Sequence, residues 1–363
     1  MAAREADGTV DVLLTGPVFF DLVFTGVGMA PRPGIEVYAE GLASSPGGVA
    51  NLAVATARLG LRTSLAAALG DDVYGRWCWE FLADREGIDL VRSRLVPGWP
   101  TPVTVSIASG SDRSMVTREA PAPYTAAELV GGAAARATFV DLGASRGRDA
   151  DDWWRTAARG GTKIFADLGW DPSERWDPSD LRPLSDCYAF TPNEVEAMAY
   201  TRTDSALAAA RALADLVPLV VVTRGEAGAV AIDSIRGEEV VLPAVPAVGR
   251  DATGAGDVFG AALLVGTLHD QPLVERLSFA ALCAALAVEH AGGAVGAPGW
   301  GDVADWWARV RSGDDRELAS RFAFLDDAVP EASGRRRAEL AFPFADYGST
   351  AARRSNPEKR GTS

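Results

Sequence analysis

The segment Asp251-Ala-Thr-Gly-Ala-Gly-Asp257-Val-Phe-Gly-Ala-Ala-Leu-Leu264 holds the residues best suited to chemistry. A glycine-rich turn leads into a run of small apolar residues that reads as a helix. Gly254, Ala255 and Gly256 would present backbone N–H groups at its start, where amides lack intrahelical acceptors and the macrodipole is positive. That makes an anion site without any basic side chain. Asp257 falls in the same turn, where a carboxylate can be a helix-terminal residue or a base. The turn is not a dinucleotide fingerprint, because it lies late in the chain and lacks an acidic partner about 20 residues on.

Four further segments carry polar groups in turn-like settings, three of them beside glycine. Pro46-Gly47-Gly48-Val-Ala-Asn51 opens a second helical run ending at Leu59-Gly60, and Gly70-Asp71-Asp72-Val-Tyr-Gly75 follows. Paired glycines let a ligand approach the backbone, and Asn51 can both donate and accept toward a hydroxylated ligand. Thr191-Pro-Asn193-Glu-Val-Glu196 and Val222-Thr223-Arg-Gly225-Glu-Ala-Gly228 each follow a short apolar run. Taken singly, these segments also read as loops, strand ends and helix caps. Arg224 could reach a phosphate but reads equally well as solvated, and it is left out of the site.

The elements that must position these residues follow from pattern. Val10–Thr15 reads as an apolar strand. Asp21–Thr25, Glu36–Ala43, Pro102–Ala108 and Ser114–Thr117 read as β segments. After Ala120, strands at Thr138–Leu142, Ile164–Leu168, Tyr188–Thr191 and Leu219–Thr223 alternate with helical stretches such as Asp204–Leu216. That alternation predicts βαβ units and a parallel sheet. Gly228–Ile232 and Glu239–Leu242 suggest an antiparallel edge. Gly48–Leu59, Gly254–Leu268, Leu273–Glu289 and Asp302–Arg311 read as helices.

Composition excludes several classes. Of 363 residues, 48% are hydrophobic and 23% charged, which is globular and long enough to bury a core without disulfides. A net charge of −14 disfavours nucleic acid and anionic lipid as partners. Lys163 and Lys359 are the only lysines, so there is neither a P-loop nor a protein-kinase lysine strand. Two histidines, His269 and His290, cannot build a multi-histidine metal site. Cys78, Cys187 and Cys283 are scattered and odd in number, which predicts buried thiols and a cytoplasmic location. Met1–Val10 lacks a signal-peptide pattern, and no run of about 18 apolar residues occurs.

Taken together and in order, the four motifs resemble the ribokinase-like (phosphofructokinase B type) carbohydrate kinases. Asp21, with Pro33-Gly34-Ile-Glu36 after it, matches that family's opening strand and the approach to its lid, and the resemblance runs from about Val10 to Arg311. It implies an α/β fold: a mostly parallel central sheet with helices on both faces plus a small β lid. The kinase domain would span 1–312, with lid segments at about 17–45 and 97–117. Residues 313–363 would be an extension, docked around Phe322–Leu325 and Phe342–Phe344 and partly disordered.

The resemblance also implies roles. Asp257 would be the catalytic base, and Gly254, Ala255 and Gly256 the anion hole. Asp21, Gly47, Gly48 and Asn51 would line the sugar site. Asn193, Glu196, Thr223, Gly225 and Gly228 would form the nucleotide site, with Glu196 serving Mg²⁺ through water. Asp251 would help hold a monovalent cation such as K⁺. The implied reaction is transfer of the γ-phosphoryl group of MgATP to a sugar hydroxyl, with a homodimer formed through the lid. A nucleoside kinase and a non-catalytic sugar or nucleotide sensor are the rivals on this fold.

The sequence departs from the family pattern at a few places. Ala252 and Val49 replace the usual residue types. Asp167-Leu-Gly-Trp170-Asp171 lacks the Asn and Arg that sugar-acid kinases carry there, which argues against a 2-keto-3-deoxysugar acid. Ten tryptophans are present, among them Trp99, Trp170 and Trp176 near loops, and none is assigned to the site.

Overall fold

Strand β1 (Val10–Thr15) is buried along nearly its whole length, as a strand covered on both faces must be. The computed structural model describes residues 10–29, 31–109, 112–143, 152–171, 173–249, 252–290 and 292–338. After β1 come β2 (Val18–Thr25), β3 (Gly41–Gly48), helix α1 (Val49–Arg58), β4 (Thr63–Ala66), β5 (Ala68–Gly70) and α2 (Val73–Glu80). α2 ends in a π-helical turn, Phe81–Arg85, before β6 (Arg94–Val96), β7 (Val103–Ser109), β8 (Asp112–Arg118), α3 (Ala126–Val130) and β9 (Ala135–Asp141). The middle of the chain holds α4 (Trp153–Arg159), β10 (Lys163–Asp167), β11 (Ala189–Phe190), α5 (Glu194–Thr201) and α6 (Ala206–Leu213). Three strands follow: β12 (Leu219–Thr223), β13 (Ala229–Asp233) and β14 (Glu238–Leu242). The last helices are α7 (Ala255–Leu268), α8 (Leu273–Val288), α9 (Gly293–Gly296), α10 (Trp300–Ser312), α11 (Arg316–Arg321) and α12 (Leu325–Ala328).

The main sheet has the order β14-β13-β12-β11-β10-β9-β1-β4. Pairings from β4 to β12 are parallel, and β13 and β14 add an antiparallel edge. Strand alternation divides the core. One set of side chains, including Val12, Leu14, Phe165 and Val221, packs with residues of α1, α7, α8 and α10. The opposite set, including Ile164, Ala166, Val220 and Val222, packs with residues of α4, α5 and α6. The expected parallel sheet covered by helices on both faces is therefore present. α7 lies close to the sheet because it is built of small residues: a Cβ at Gly260 would come within 2.9 Å of the Phe139 ring.

A second sheet has the order β3-β2-β7-β8. The sequence placed a β segment at Glu36–Ala43, but 31–40 is irregular and the strand is Gly41–Gly48. Tertiary pairing decides this, since β2 matches β3 residue for residue from Val18↔Gly48 to Thr25↔Gly41. The strand thereby runs straight into the paired glycines. β4, β5, β6 and α2 were not foreseen. Short runs of small residues such as Thr63–Ala66 carry little β signal, and their burial comes from neighbours.

Residues 313–338 fold back onto the body. Phe322 is fully buried, edge-on to Trp306 at 4.8 Å between centroids, and Leu325 is buried beside it. The Trp307 indole N–H donates to Asp326 Oδ1 at 2.8 Å. Phe342–Phe344 lie outside the described residues. Phe322→Ala should cost about 3–5 kcal/mol of stability by cavity formation. Urea unfolding followed by circular dichroism measures it, and a loss under about 1 kcal/mol would mean this segment does not belong to the core.

Candidate active site

Ligands of open α/β sheets bind at the C-terminal strand ends where strand order reverses. Here the reversal lies at β1, flanked by β9 on one side and β4 on the other. The adjacent strand ends carry Asp141 on β9 and Asp167 on β10, opposite each other in register. Each carboxylate accepts a local backbone N–H: Asp141 Oδ1 from Gly143 at 2.8 Å, and Asp167 Oδ1 from Leu168 at 2.7 Å. Asp141 was missed by sequence reasoning. Asp167 was noted only as part of a departure from pattern. Their signal is position, an acidic residue closing a buried strand, and it becomes readable only once the strands are in register.

Two helix N-termini meet at this edge. Gly254 caps α7 in the left-handed conformation (φ 75°), which glycine tolerates without strain. Gly256 is exposed, and among the described residues nothing lies within 4 Å of where a Cβ would sit. The Ala255 amide donates to the Ala252 carbonyl at 3.2 Å, so one of the three expected anion donors is engaged in a local turn. Asp257 follows in the first turn, partly buried. Asp251 lies outside the described residues.

On the facing helix, Gly48 caps α1 with φ 63°. A side chain there would collide with the Pro17 carbonyl, and one at Gly47 with the Asp21 carboxylate. Asp21, Gly47 and Gly48 are thus brought together. Asn51 sits in the first turn of α1, 5% exposed, and its Nδ2 donates to Asp257 Oδ2 at 2.9 Å. Its Oδ1 is buried and has no hydrogen-bond partner among the described residues. Two further glycines close around it. A Cβ at Gly254 would lie 3.3 Å from Asn51 Cγ, and one at Gly293 would lie 2.7 Å from Oδ1. The Gly292-Gly293 pair was not singled out in the sequence. Its sign was the same as that of Gly47-Gly48: two adjacent glycines, both here at positive φ.

Burial, helped by the nearby Asp167 charge and opposed by the Asn51 hydrogen bond, pushes the Asp257 carboxyl up to about 6. A carboxylate poised there is ionised at neutral pH yet basic enough to take a proton.

The remaining predicted residues gather at β11 and β12. Asn193 and Glu196 form a capping box at the start of α5. Asn193 Oδ1 accepts from the Glu196 amide, and Glu196 Oε2 from the Asn193 amide, both at 3.0 Å. Asn193 also forms a parallel bridge with Thr223 at the end of β12. Gly225 (φ 51°) and Gly228 (φ 90°) then turn the chain, and a side chain at Gly228 would collide with the Leu242 carbonyl. Arg224 approaches Glu194 at 3.8 Å. Among the described residues no group of three His, Cys, Asp or Glu side chains could cage a metal. A single buried carboxylate ligand, Glu196, would suit Mg²⁺ only where phosphates and water supply most of the coordination.

Comparison with known proteins identifies the family and the fold. The pattern described as "pfkB family carbohydrate kinase" matches residues 11–299. A fructokinase from Klebsiella pneumoniae is 31% identical over 282 residues, covering 71% of this chain and 90% of its own. A nucleoside kinase from Methanothermobacter thermautotrophicus is 29% identical, covering 81% of this chain and 94% of its own. An E. coli structure assigned as a ribokinase II, in complex with ATP and Mg²⁺, superposes with a TM-score of 0.70. It is 19% identical and covers 83% of this chain and 99% of its own, a likeness of fold.

Asp257 also carries a stability cost. Its folded pKa, about 6, lies above the ordinary value of 3.8, so the folded state binds the proton more tightly. Stability is therefore lost as pH rises from about 3.8 to about 6. Asp257→Asn should be about 1–3 kcal/mol more stable than wild type at pH 7, the gap closing below pH 4. Urea midpoints at the two pH values check this, and a pH-independent gap would contradict it.

Proposed function

Because the chain belongs to the pfkB family of carbohydrate kinases, phosphotransferases acting on a sugar hydroxyl, we propose that it transfers the γ-phosphoryl group of ATP to a sugar, with Asp257 as base. The observation that carries this is the Asn51–Asp257 hydrogen bond, which joins two motifs 206 residues apart around a carboxyl raised to about 6.

The residues divide the work. Asp257 takes the proton from the attacking hydroxyl. The amides of the cap Gly254 and of first-turn Gly256 face the charge that builds on the transferring phosphoryl group, and the Ala255 amide joins them by giving up its turn. Phosphoryl transfer depends mainly on such positioning and charge stabilisation. An amide cradle also explains how a chain with two lysines can do this chemistry. Asn51 Oδ1, buried and without a hydrogen-bond partner among the described residues, is an acceptor suited to a sugar hydroxyl, with Asp21 beside Gly47 lining the same pocket. Thr223, Gly225 and Gly228 shape the nucleotide turn. Glu196, oriented by its capping box with Asn193, serves Mg²⁺ through water. The ion supplies charge neutralisation on the phosphate oxygens. Asp251 remains our assignment for a K⁺-type cation. The small sheet acts as a lid that excludes water, a competing acceptor.

The same sheet is our assignment for a homodimer contact. In register, Leu22, Phe24, Leu42, Val105, Ile107 and Val116 share one of its faces, and Val116 is 72% exposed. We place the enzyme in the cytoplasm, in keeping with three free, buried cysteines. A nucleoside is the alternative acceptor, favoured by the likeness to a nucleoside kinase.

Coupled ADP release with MgATP over hexoses, pentoses, sugar acids, inositols and nucleosides should show turnover on one class. Asp257→Asn should lower kcat by about 10³-fold, and kcat/KM should fall below about pH 6. Turnover that survives in the mutant removes Asp257 as base. ATP binding without turnover on any class favours a sensor. For the lid contact, light scattering should give twice the chain mass, and Val116→Lys should return it to one.

A further inference from the structure

The segment after residue 312 lies beyond the family match, which ends at residue 299, yet it reaches into the packing behind the site. Its contact is Arg336. The guanidinium donates to the Arg85 and Glu86 carbonyls, each at 2.7 Å, and to Glu86 Oε2 at 2.8 Å. Those carbonyls end the π-helical turn, where main-chain acceptors lack intrahelical donors. The backbone of Arg336 is held too. Its carbonyl accepts from the Gly301 amide at 2.7 Å, and a side chain at Gly299 would collide with it. The adjoining Ala338 amide donates to Asp302 Oδ2 at 2.8 Å, and Arg337 pairs with Asp305.

Glu86 passes this contact inward. It is 3% exposed and also receives Arg58, with Nη2 to Oε1 at 2.7 Å and Nε to Oε2 at 3.1 Å. Arg58 is 1% exposed, and its Nη1 donates to the Val295 and Ala297 carbonyls at 2.9 and 2.6 Å. Those carbonyls belong to α9 and its C-terminal cap, the segment that begins with Gly293 against Asn51. Arg58 and Asn51 stand on the same helix, α1, seven residues and so about two turns apart. One end of α1 thus grips 295–297 through Arg58, while the other sets Asn51 between Gly293 and Asp257. The Val295 amide closes the loop by donating to Ser45 Oγ at 3.3 Å, on the strand that carries Gly47.

We propose that Arg336 is a positioning residue for the phosphoryl-transfer site, acting through Glu86 and Arg58 on residues 293–297 and thereby on the Asn51–Asp257 pair. Without it, Glu86 keeps Arg58 but loses the second cation and the brace on its own backbone. A buried carboxylate left with less support shifts toward solvent. Arg58 follows the carboxylate, and the two carbonyls it grips are released. The glycines at 292 and 293 have no side chains to hold the segment in place. Asn51 then loses its backing and the bond to Asp257 lengthens. That bond lowers the Asp257 pKa, so its weakening moves the carboxyl upward.

This inference rests on Asp257 as the base, and its test separates the two. Arg336→Ala is made in the full chain beside Asp257→Asn. Expected for Arg336→Ala are a kcat lowered about tenfold with KM for ATP within about twofold, and an acid limb of kcat moved upward by up to about one pH unit. Amide exchange in a peptide spanning 293–297 should be about tenfold faster. Arg336→Lys keeps a charge near Glu86 but cannot serve three acceptors in a fork, so it should fall between. A variant with a lower Tm but wild-type kcat, acid limb and exchange would make Arg336 a merely structural brace and overturn the proposal. If Arg336→Ala does not fold, the same three readouts on Arg336→Lys decide. Wild-type turnover in Asp257→Asn would instead sink the base assignment, whatever Arg336 does.

Discussion

The amide of Asn51 and the carboxyl of Asp257 meet where two helices begin, and much of the structure is the condition for that meeting. Each helix starts at a glycine in the left-handed region, Gly48 for α1 and Gly254 for α7. Neither approach tolerates a side chain. Gly48 lies against the Pro17 carbonyl, Gly47 against Asp21, and Gly254 and Gly293 against Asn51. Behind them α7 rests on the sheet through Gly260, again with no room for a Cβ beside Phe139. Small residues serve here as spacers, setting distances between backbones that larger side chains would hold apart.

The electrostatics follow from the same geometry. A carboxylate beside a helix N-terminus is ordinarily favoured in its charged form. At Asp257 burial and the Asp167 charge outweigh that, and the group stays poised near neutrality. The arrangement trades stability for basicity, as at other sites where a buried acid must ionise. The chain has 33 arginines and two lysines. Several of those arginines are committed elsewhere: Arg58 to Glu86, Arg276 to Asp233, Arg336 to Glu86.

The terminal segment, where it is described, behaves as part of the core. Phe322 and Leu325 enter the cluster that contains α7 and α8, and Arg336 meets a buried carboxylate near the C-terminal end of α1. The main-chain carbonyl of Arg336 occupies the space that side chains at Gly299 and Gly301 would need. The segment and the body are shaped for each other at those points.

Local sequence was sufficient for some of this. The alternation of apolar strands with helices determined a parallel sheet with an antiparallel edge, because period and turn chemistry are local properties. Asp257, Asn51, Gly47 and Gly254 were readable because a carboxylate, an amide and glycines at helix starts announce themselves by residue type. Tertiary structure decided the rest. Glu36–Ala43 carried β-prone residues, but pairing with β2 placed the strand at Gly41–Gly48. Asn193 and Glu196 were read as a nucleotide pair, and the fold shows them first as a capping box joined to Thr223. Asp141, Asp167 and Gly293 acquire meaning only when distant strands and loops come together. No local pattern marks Arg58, Glu86 and Arg336 as partners. Only folding removes the water around Arg58 and Glu86, and with it the freedom of those charges to remain unpaired.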